Sequence, residues 1–418
     1  MKALVIANPF PASGGGSIRA LKSLKAYPSK GIETYIAFPL SSILVWDNDV
    51  IKALLNYNIR PSYIASLRIP LNPARPLPGQ ASIILSSLIF MHKRVMKLKP
   101  LSKKMINNID AIISFHENID ALCLLDIFSN RFKYAKKVAV LQSAPIYAFK
   151  SRKKIIEKTL KMWYSLAGYK AYYSFVVSKL NKFVEGKLVK ILSKTNINIG
   201  ISEAICVECS GKIPNMYCMN PGVTLDEEDI KLLEYVKNKV GKNRSKYIIF
   251  GGRPSPLKGV VDALFVFRRI SREHSSIKLI INGVMGRTRL VLRKICEKIG
   301  IRDRVKLTGW VSREERFKII RGAKLMLYPS HVDAYPFSVI ESLYLETPIV
   351  AYDIPALRLY HSCNPGVRIV KEGDIEAMAI EALNILESSR LEITKPKIRS
   401  WDEILNEEVY LLKKILRS

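Results

Sequence analysis

The stretch of residues 325–353 constrains the fold of this chain more than any other. Its first part, residues 325–328, is a short apolar run closed by a proline, which predicts a buried strand. A polar loop follows, and Ser338 with Glu341 three residues later has the spacing of a capping box at a helix start. A second apolar run, residues 349–351, predicts the next strand. The order strand, loop, helix, strand predicts one βαβ unit of a parallel sheet.

The polar loop of this unit is the first candidate for a ligand site. In parallel sheets, ligands bind outside the carboxyl ends of the strands, which is where this loop lies. The free amides at the start of the following helix favour an anion there. The sequence therefore predicts an anion-binding site at this loop.

Two acids in the loop and helix carry a resemblance to a known family. Asp333 and Glu341, with seven residues between them, resemble the acidic-x7-Glu motif of retaining GT-B glycosyltransferases of family 4, the "glycosyl transferases group 1" type. The resemblance implies an α/β fold of two Rossmann-like, doubly wound domains that face each other across a cleft. The expected donor-site residues of this motif are Asp333, Tyr335, Pro336, Phe337, Ser338 and Glu341.

Each acid has an implied role in that family. Glu341 would hold the nucleotide ribose, while Asp333 and the loop amides would face the donor sugar. This chain has Asp333 where the family usually has glutamate, so the shorter side chain changes that contact. Considered alone, Glu341 also fits a simple capping residue.

A second match lies in residues 251–259, Gly-Gly-Arg-Pro-Ser-Pro-Leu-Lys-Gly, which follow the apolar run 246–250. It resembles the family's Gly-Arg and Ser-x-x-Lys-Gly elements, with Gly252 at the donor. A nucleoside diphosphate gains negative charge as it leaves, and Arg253 and Lys258 are the cations that would neutralise it. We therefore expect a nucleotide-sugar donor, UDP- or GDP-linked, and no metal or other cofactor.

The N-terminal half offers two further candidates. A first strand, residues 2–8, leads into a Gly-rich turn with Gly15 and Gly16 before a helix predicted from residue 18. The resembled family has a similar loop facing the donor phosphates and the acceptor, although a plain tight turn also fits. His116 stands at the end of the predicted strand 110–115, where the family resemblance implies a role at the donor sugar; a structural histidine is the alternative.

The charge of the chain is strongly uneven. The formal net charge is +31, of which +22 belongs to residues 1–200. Two basic stretches stand out, residues 91–104 and the aromatic-rich residues 150–194, the latter with Trp163 and Tyr164. Such surfaces attract polyanions or anionic membranes, and interfacial aromatic rings favour a membrane. An ordinary helical excursion from the N-terminal domain is the alternative for residues 150–194.

Two other motifs invite a metal interpretation. Asp47-Asn48-Asp49 resembles a metal-binding Asp-x-Asp, but no predicted strand ends at it. Cys206-x-x-Cys209 lacks a nearby fourth ligand and fits successive positions on a helix. Six cysteines in 418 residues are too sparse for a disulfide scaffold, so reduced thiols are expected.

The predicted organisation is an acceptor-binding domain at 1–222, a nucleotide-sugar-binding domain at 223–400 and a helix at 401–418 that crosses back to the N-terminal domain. No signal peptide and no membrane span is expected, which favours a cytoplasmic protein, peripheral on the inner face of the plasma membrane. The expected activity is retaining hexosyl transfer to a lipid-linked or other glycan acceptor.

Three alternatives stay open at this stage. The first is a GT-B enzyme with a soluble acceptor, and the second is an epimerase or phosphorylase of the same fold. The third is a basic membrane- or nucleic-acid-binding protein without activity. No RNA-binding motif accompanies the charge, so a nucleic-acid partner is not expected.

Overall fold

The structure is a computed structural model that describes residues 1–67, 96–101, 108–168, 171–241, 245–388 and 391–417. It divides into two units. Unit 1 comprises Met1–Ala148, Phe175–Val223 and Arg399–Ser418, and unit 2 comprises Phe149–Ser174 and Thr224–Ile398.

Within the described residues, the strands in chain order are β1 (Lys2–Ile6), β2 (Glu33–Phe38), β3 (Arg60–Leu67), β4 (Met96–Pro100), β5 (Ala111–Ser114), β6 (Lys136–Leu141), β7 (Ile197–Gly200), β8 (Met216–Cys218), β9 (Tyr247–Phe250), β10 (Lys278–Ile281), β11 (Val305–Leu307), β12 (Met326–Tyr328), β13 (Ile349–Tyr352) and β14 (Val367–Val370).

The α-helices of the same residues are α1 (Gly15–Ala26), α2 (Asn48–Asn56), α3 (Ile119–Arg131), α4 (Lys150–Leu166), α5 (Ala171–Leu192), α6 (Glu203–Cys209), α7 (Glu227–Lys239), α8 (Val260–Glu273), α9 (Gly286–Lys298), α10 (Arg313–Gly322), α11 (Phe337–Tyr344), α12 (Pro355–His361), α13 (Ile375–Glu387) and α14 (Trp401–Arg417).

Unit 1 is a sheet of strand order β4-β3-β2-β1-β5-β6-β7-β8. All neighbouring pairs are parallel except β3 with β4, which are antiparallel. The order reverses between β1 and β5, so the loops after these two strands share a topological switch point.

Unit 2 is a fully parallel sheet of strand order β11-β10-β9-β12-β13-β14, the doubly wound arrangement. Its switch point lies between β9 and β12, where Met326 pairs with Ile249 and Leu327 with Phe250. Strands β12 and β13 are buried at every position. Continuous apolar strands are expected here because helices cover both faces of a parallel sheet.

Helix α4 departs from the predicted organisation. The sequence assigned all of residues 150–194 to the N-terminal domain, whereas residues 149–174 group with unit 2. The physical reason is that Arg152, Ile156 and Thr159 of α4 are buried, and α4 packs on the turn Pro256–Lys258 of unit 2.

Helix α14 packs within unit 1. The buried Arg19 of α1 donates to Glu408 of α14 at 2.5 Å, and the Tyr27 hydroxyl donates to the same carboxylate at 2.8 Å. This pairing satisfies a carboxylate that would be costly to bury alone.

Two local expectations need correction, and the Asp47-Asn48-Asp49 motif has a structural role. The glycine stretch opens α1 at Gly15 and is not a turn up to residue 17. Asp47 caps α2, with its side chain accepting from the Asp49 amide at 2.9 Å, which gives Asp47-Asn48-Asp49 a structural role. Cys206 is joined to Cys218 by a disulfide, so the expectation of reduced thiols is wrong for this pair.

The structure describes only residues 96–101 of the basic stretch 91–104. Residues 91–95 and 102–104, with Lys93, Arg94, Lys103 and Lys104, lie outside the described residues. Lys97 and Lys99 belong to β4.

Candidate functional site

The loops after β9 and β12 touch each other at the switch point of unit 2. A Cβ atom on Gly259 would lie 1.8 Å from the Pro329 carbonyl oxygen, so only glycine permits this approach. The His331 amide donates to the Leu257 carbonyl at 3.0 Å. The two loops that the sequence singled out therefore form one surface at the carboxyl ends of the strands.

Lys258 is held at the centre of this surface. Its ammonium donates to the Asp333 carboxylate at 2.6 Å and to the Val332 carbonyl oxygen at 2.7 Å. The Tyr328 hydroxyl donates to the same Asp333 oxygen, and the Ala334 amide donates to the other at 2.9 Å. The Lys258 and Asp333 side chains keep 27% and 15% of their surface exposed, so an incoming ligand can reach both.

Arg253 precedes Lys258 in the loop after β9 and is exposed. Its guanidinium makes no hydrogen bond or ion pair with the described part of the chain. Gly252, just before it, has φ +106°, a conformation that favours glycine. The turn thus presents one anchored cation and one free cation, a combination suited to a diphosphate.

Helix α11 begins at this surface. Pro336 is its N-cap residue, and none of the described side chains caps the helix. The first-turn amides of Phe337 and Ser338 have no intrahelical partners. Tyr335 is buried, and burial raises its pKa to about 12. Ser338 and Glu341 form no capping box, which corrects that interpretation of their spacing.

Glu341 of α11 is buried. One carboxylate oxygen accepts from Arg316, while the other, Oε2, has no hydrogen-bond partner within the described residues. Burial raises the pKa of Glu341 to about 7, against the opposing effect of Arg316. A buried carboxylate oxygen without a partner is costly, and a hydroxyl donor from a ligand would satisfy it.

In unit 1, His116 follows β5 at the switch point with β1. Its Nε2 accepts from the Asn8 amide at 3.1 Å, which places the ring proton on Nδ1. Burial lowers the pKa of His116, although Glu117 and Asp120 oppose the shift. His116 is therefore a neutral imidazole whose Nδ1 is a hydrogen-bond donor.

Gly15 and Gly16 open α1 near the same switch point. A Cβ atom on Gly15 would meet nothing within 4 Å, whereas one on Gly16 would lie 3.2 Å from the Gln142 side chain. The surface beside Gly15 is thus open, and Gly16 allows Gln142 to pack against the helix start.

Helix α4 has two contrasting faces. Its exposed lysine stripe consists of Lys150, Lys154, Lys158 and Lys161. These positions fall on one side of a helix and span about 16 Å. The side opposite this stripe carries the buried Arg152 and Thr159.

Metal-binding groups of three or more histidine, cysteine, aspartate or glutamate side chains do not occur in the described ranges. None of the helices described is long and apolar enough to span a membrane.

The residues that form this surface of unit 2 match a family model. Residues 234–398 match the model of the glycosyl transferases group 1 family, and this range holds both contacting loops and Glu341. We call residues 234–398 the group 1 domain, after the family model that they match.

Two curated relatives are also similar to this chain. The chain is 25% identical over 178 residues to an uncharacterized glycosyltransferase of Methanocaldococcus jannaschii, covering 40% of this chain and 45% of the relative. It is 26% identical over 119 residues to an alpha-D-kanosaminyltransferase of Streptomyces kanamyceticus, covering 28% of this chain and 31% of the relative. The chain thus spans less than half the length of each of these two relatives.

Solved structures extend the likeness to both units. HepE of Anabaena, solved with UDP and glucose, matches with a TM-score of 0.59 at 13% identity over 99% of this chain and 100% of that one. Sucrose-phosphate synthase of Thermosynechococcus elongatus matches with a TM-score of 0.64 at 14% identity, covering 100% and 99% of the two chains. The fold is GT-B, with two Rossmann-like units, as predicted.

The group 1 domain also contains residues that the sequence did not single out. Arg316 pairs with Glu341 from α10, and Tyr328 holds Asp333 from the end of β12. His361 of α12 is buried beside Tyr335, with neither ring nitrogen bonded within the described residues, and burial lowers its pKa to about 4. Tyr328 lies in the same βαβ unit as Asp333, whereas Arg316 and His361 come from separate elements, so only the fold brings these two to Glu341 and Tyr335.

Proposed function

We propose that this protein is a glycosyltransferase that transfers a sugar from a nucleotide sugar, with retention, to an acceptor carried by an anionic membrane. The observation that carries the proposal is the surface around Lys258 in the group 1 domain. It combines two cations, a helix start and a buried carboxylate oxygen in need of a donor. The cations and the helix start suit a diphosphate, and the carboxylate oxygen suits a ribose hydroxyl.

In the proposed reaction, the bond between the sugar carbon C1 and the diphosphate oxygen breaks. A bond from C1 to the acceptor oxygen forms on the same face, and the acceptor proton moves to the departing phosphate. Lys258 and Arg253 stabilise the negative charge that develops on the diphosphate. These cations perform the task that a metal ion has in other transferases, and we propose that the enzyme requires none.

The activity test is mass spectrometry of products from a panel of UDP- and GDP-sugars, with membrane lipid extract, soluble glycans or inorganic phosphate as acceptor, each with and without EDTA. We expect sugar transfer to a lipid-extract component that persists with EDTA. Phosphorolysis, epimerised donor or transfer only to soluble glycans would each refute the proposed reaction. Loss of transfer with EDTA that added magnesium restores would refute metal independence.

His116 is proposed to act on the sugar or acceptor from unit 1 through its Nδ1–H. His116→Ala should lower kcat about tenfold, the scale of one hydrogen bond made in the transition state, with little change in donor KM. Steady-state kinetics check this, and His274→Ala is the control histidine. Thermal unfolding should accompany them, because the substitution leaves the buried Asn8 amide without its partner. A folded His116→Ala protein with wild-type kcat would contradict the role.

The lysine stripe of α4 is proposed to contact the anionic membrane at the inner face of the plasma membrane. Each lysine near such a surface contributes about 1 kcal/mol, so changing all four to glutamine should weaken vesicle binding at least tenfold. Sedimentation with phosphatidylserine vesicles at two salt concentrations measures this. Binding should rise with the anionic lipid fraction and fall with salt.

The matched control for the lysine stripe removes the same charge elsewhere in unit 2. Lys278, Lys294, Lys298 and Lys306 are also exposed, and their joint change to glutamine should leave vesicle binding near the wild-type value. Equal losses in both variants would show that only the net charge matters. Binding to RNA instead of vesicles would refute the membrane partner.

A further inference from the structure

A buried cluster of four charges lies behind the loop that holds Lys258. At its centre is His331, whose side chain is 1% exposed. Its Nδ1 lies 3.0 Å from a Glu372 oxygen, and its Nε2 lies 3.1 Å from an Asp262 oxygen. Because each ring nitrogen faces a carboxylate, both carry protons and the ring is an imidazolium.

Helix α4 supplies the fourth charge. Arg152 donates to the His331 carbonyl oxygen at 2.6 Å and forms an ion pair with Glu372. Arg152 and His331 therefore balance the charges of Asp262 and Glu372. The four side chains are at most 11% exposed, and such a cluster loses stability when one partner is removed.

Neutral groups complete the cluster. The Thr159 hydroxyl of α4 lies 3.2 Å from His331 Nε2, and the Tyr352 hydroxyl of β13 donates to Asp262 at 2.9 Å. The cluster thus joins α4, α8, β13 and the turn after β14 at a single histidine.

The main chain leads directly from this histidine to Lys258. The next two residues, Val332 and Asp333, provide the carbonyl and carboxylate that hold the Lys258 ammonium. The His331 amide itself is bonded to Leu257, next to Lys258. A shift of residue 331 would therefore move both groups that orient the lysine.

We propose that Arg152 and His331 are positioning residues for the leaving-group site: they hold residues 331–333 so that the Lys258 ammonium lies where the diphosphate binds. The inference rests on the proposed function. It makes α4, which the chain inserts between β6 and β7, a part of the donor site. Fixed charges stabilise a transition state best when no reorganisation is needed, and a displacement of about 1 Å can cost 10²-fold in rate.

The first test measures UDP and GDP affinity by titration calorimetry, together with kcat. Arg152→Met should weaken binding of the preferred diphosphate and lower kcat, each by tenfold or more. Arg152→Lys keeps the charge beside Glu372 but loses the planar fork, and should be intermediate. Arg269→Met is the matched control, since it removes an arginine that pairs with Glu273 and Glu376 at the surface of the same unit.

A double-mutant cycle then asks whether Arg152 acts through Lys258. In a Lys258→Ala background, Arg152→Met should change diphosphate affinity less than twofold, because the group that it positions is gone. Fully additive losses would overturn the inference. If Arg152→Met does not fold, as judged by thermal unfolding, Thr159→Val replaces it in the cycle with the same expected non-additivity.

The pH dependence of kcat/KM is a further test, because a general loss of stability would not shift it. Burial lowers the pKa of His331, but its hydrogen bonds to Asp262 and Glu372 outweigh this and raise it. A raised pKa keeps the imidazolium intact at low pH, and the clamp is lost as pH rises through that pKa. Glu372→Gln should move this alkaline limb of kcat/KM to lower pH, with Arg152, Thr159 and Tyr352 still in place. If Glu372→Gln leaves the alkaline limb of kcat/KM at its wild-type pH, the positioning role of His331 is refuted.

The outcomes separate the inference from the function on which it rests. Wild-type protein that binds neither UDP nor GDP would refute both. Wild-type binding with unchanged affinity in Arg152→Met and Thr159→Val would refute the positioning role alone.

Discussion

Replacing Lys258 with alanine is expected to lower kcat for glycosyl transfer by about 10²- to 10³-fold. The ammonium stabilises charge that develops on the diphosphate only as the glycosidic bond breaks, and removing one such group costs about 3–4 kcal/mol. Donor KM should change less than kcat, because part of the charge is already present in the bound donor. Steady-state kinetics with the preferred nucleotide sugar measure both values.

The environment of Lys258 makes this loss larger than that of an ordinary surface cation. Lys258 is anchored by Asp333 and Val332, so its position needs no reorganisation on binding. Arg253 is exposed and must be ordered by the ligand, which is why Arg253→Ala should cost less, about tenfold. Lys246→Ala, at an exposed lysine just before β9, is the control. Near-normal turnover in both site variants would refute the diphosphate assignment.

The second large effect is expected at Glu341, where Glu341→Gln should raise donor KM tenfold or more with a smaller change in kcat. Hydrogen bonds to a charged acceptor contribute about 1.5–3 kcal/mol, and ribose contacts exist in both the ground and the transition state. Glu314→Gln, at an exposed glutamate of the same unit that pairs with Lys318, is the control. An unchanged donor KM would refute ribose binding by this residue.

The acidity of Glu341 adds a pH dependence to this prediction. Because its pKa is raised to about 7, wild-type donor affinity should increase as pH rises through 7 and the carboxylate ionises. The glutamine variant should show no such change. Calorimetric donor affinities between pH 5.5 and pH 8.5 (roughly one and a half units either side of the pKa) cover the transition.

The free energy of unfolding of the wild type should decrease as pH rises, whereas donor affinity increases. A carboxyl whose folded pKa is raised stabilises the folded state below its ordinary pKa and loses that contribution as pH rises through about 7. Glu341→Gln should therefore be more stable than the wild type above that pH, by about 3 kcal/mol. Such a gain, together with weaker donor binding, is typical of a residue kept for function at the expense of stability.

The βαβ unit at residues 325–353 illustrates what could be predicted from the sequence. Its apolar runs appear as β12 and β13, each within one residue of the predicted bounds, because a strand buried on both faces needs a continuous apolar run. The same local rules placed Lys258 and Asp333 at the carboxyl ends of strands. The GT-B fold was implied by the resemblance of two motifs in the chain to a known family.

Local sequence patterns did not predict the packing or bonding partner of an element where two partners were possible. Helix α4 was assigned to the N-terminal domain because it follows β6 in the chain, but its buried Arg152 and Thr159 belong to unit 2. Cys206 shares α6 with Cys209, as predicted, but the reduced thiol expected for Cys206 is bonded to Cys218 of β8. In both cases the partner is distant in sequence, and only packing selects it.

The sequence by itself therefore predicted the fold class, the two loops and the candidate cations, since each depends on apolar periodicity or on the resemblance of a short motif to a known family. Only the tertiary structure decided how those groups are held. It joined Lys258 to Asp333, left one Glu341 oxygen without a hydrogen-bond partner among the described residues, and placed His331 between two carboxylates. The reason is physical: burial and the approach of charges from separate elements set these properties, and neither is encoded in the spacing of residues along the chain.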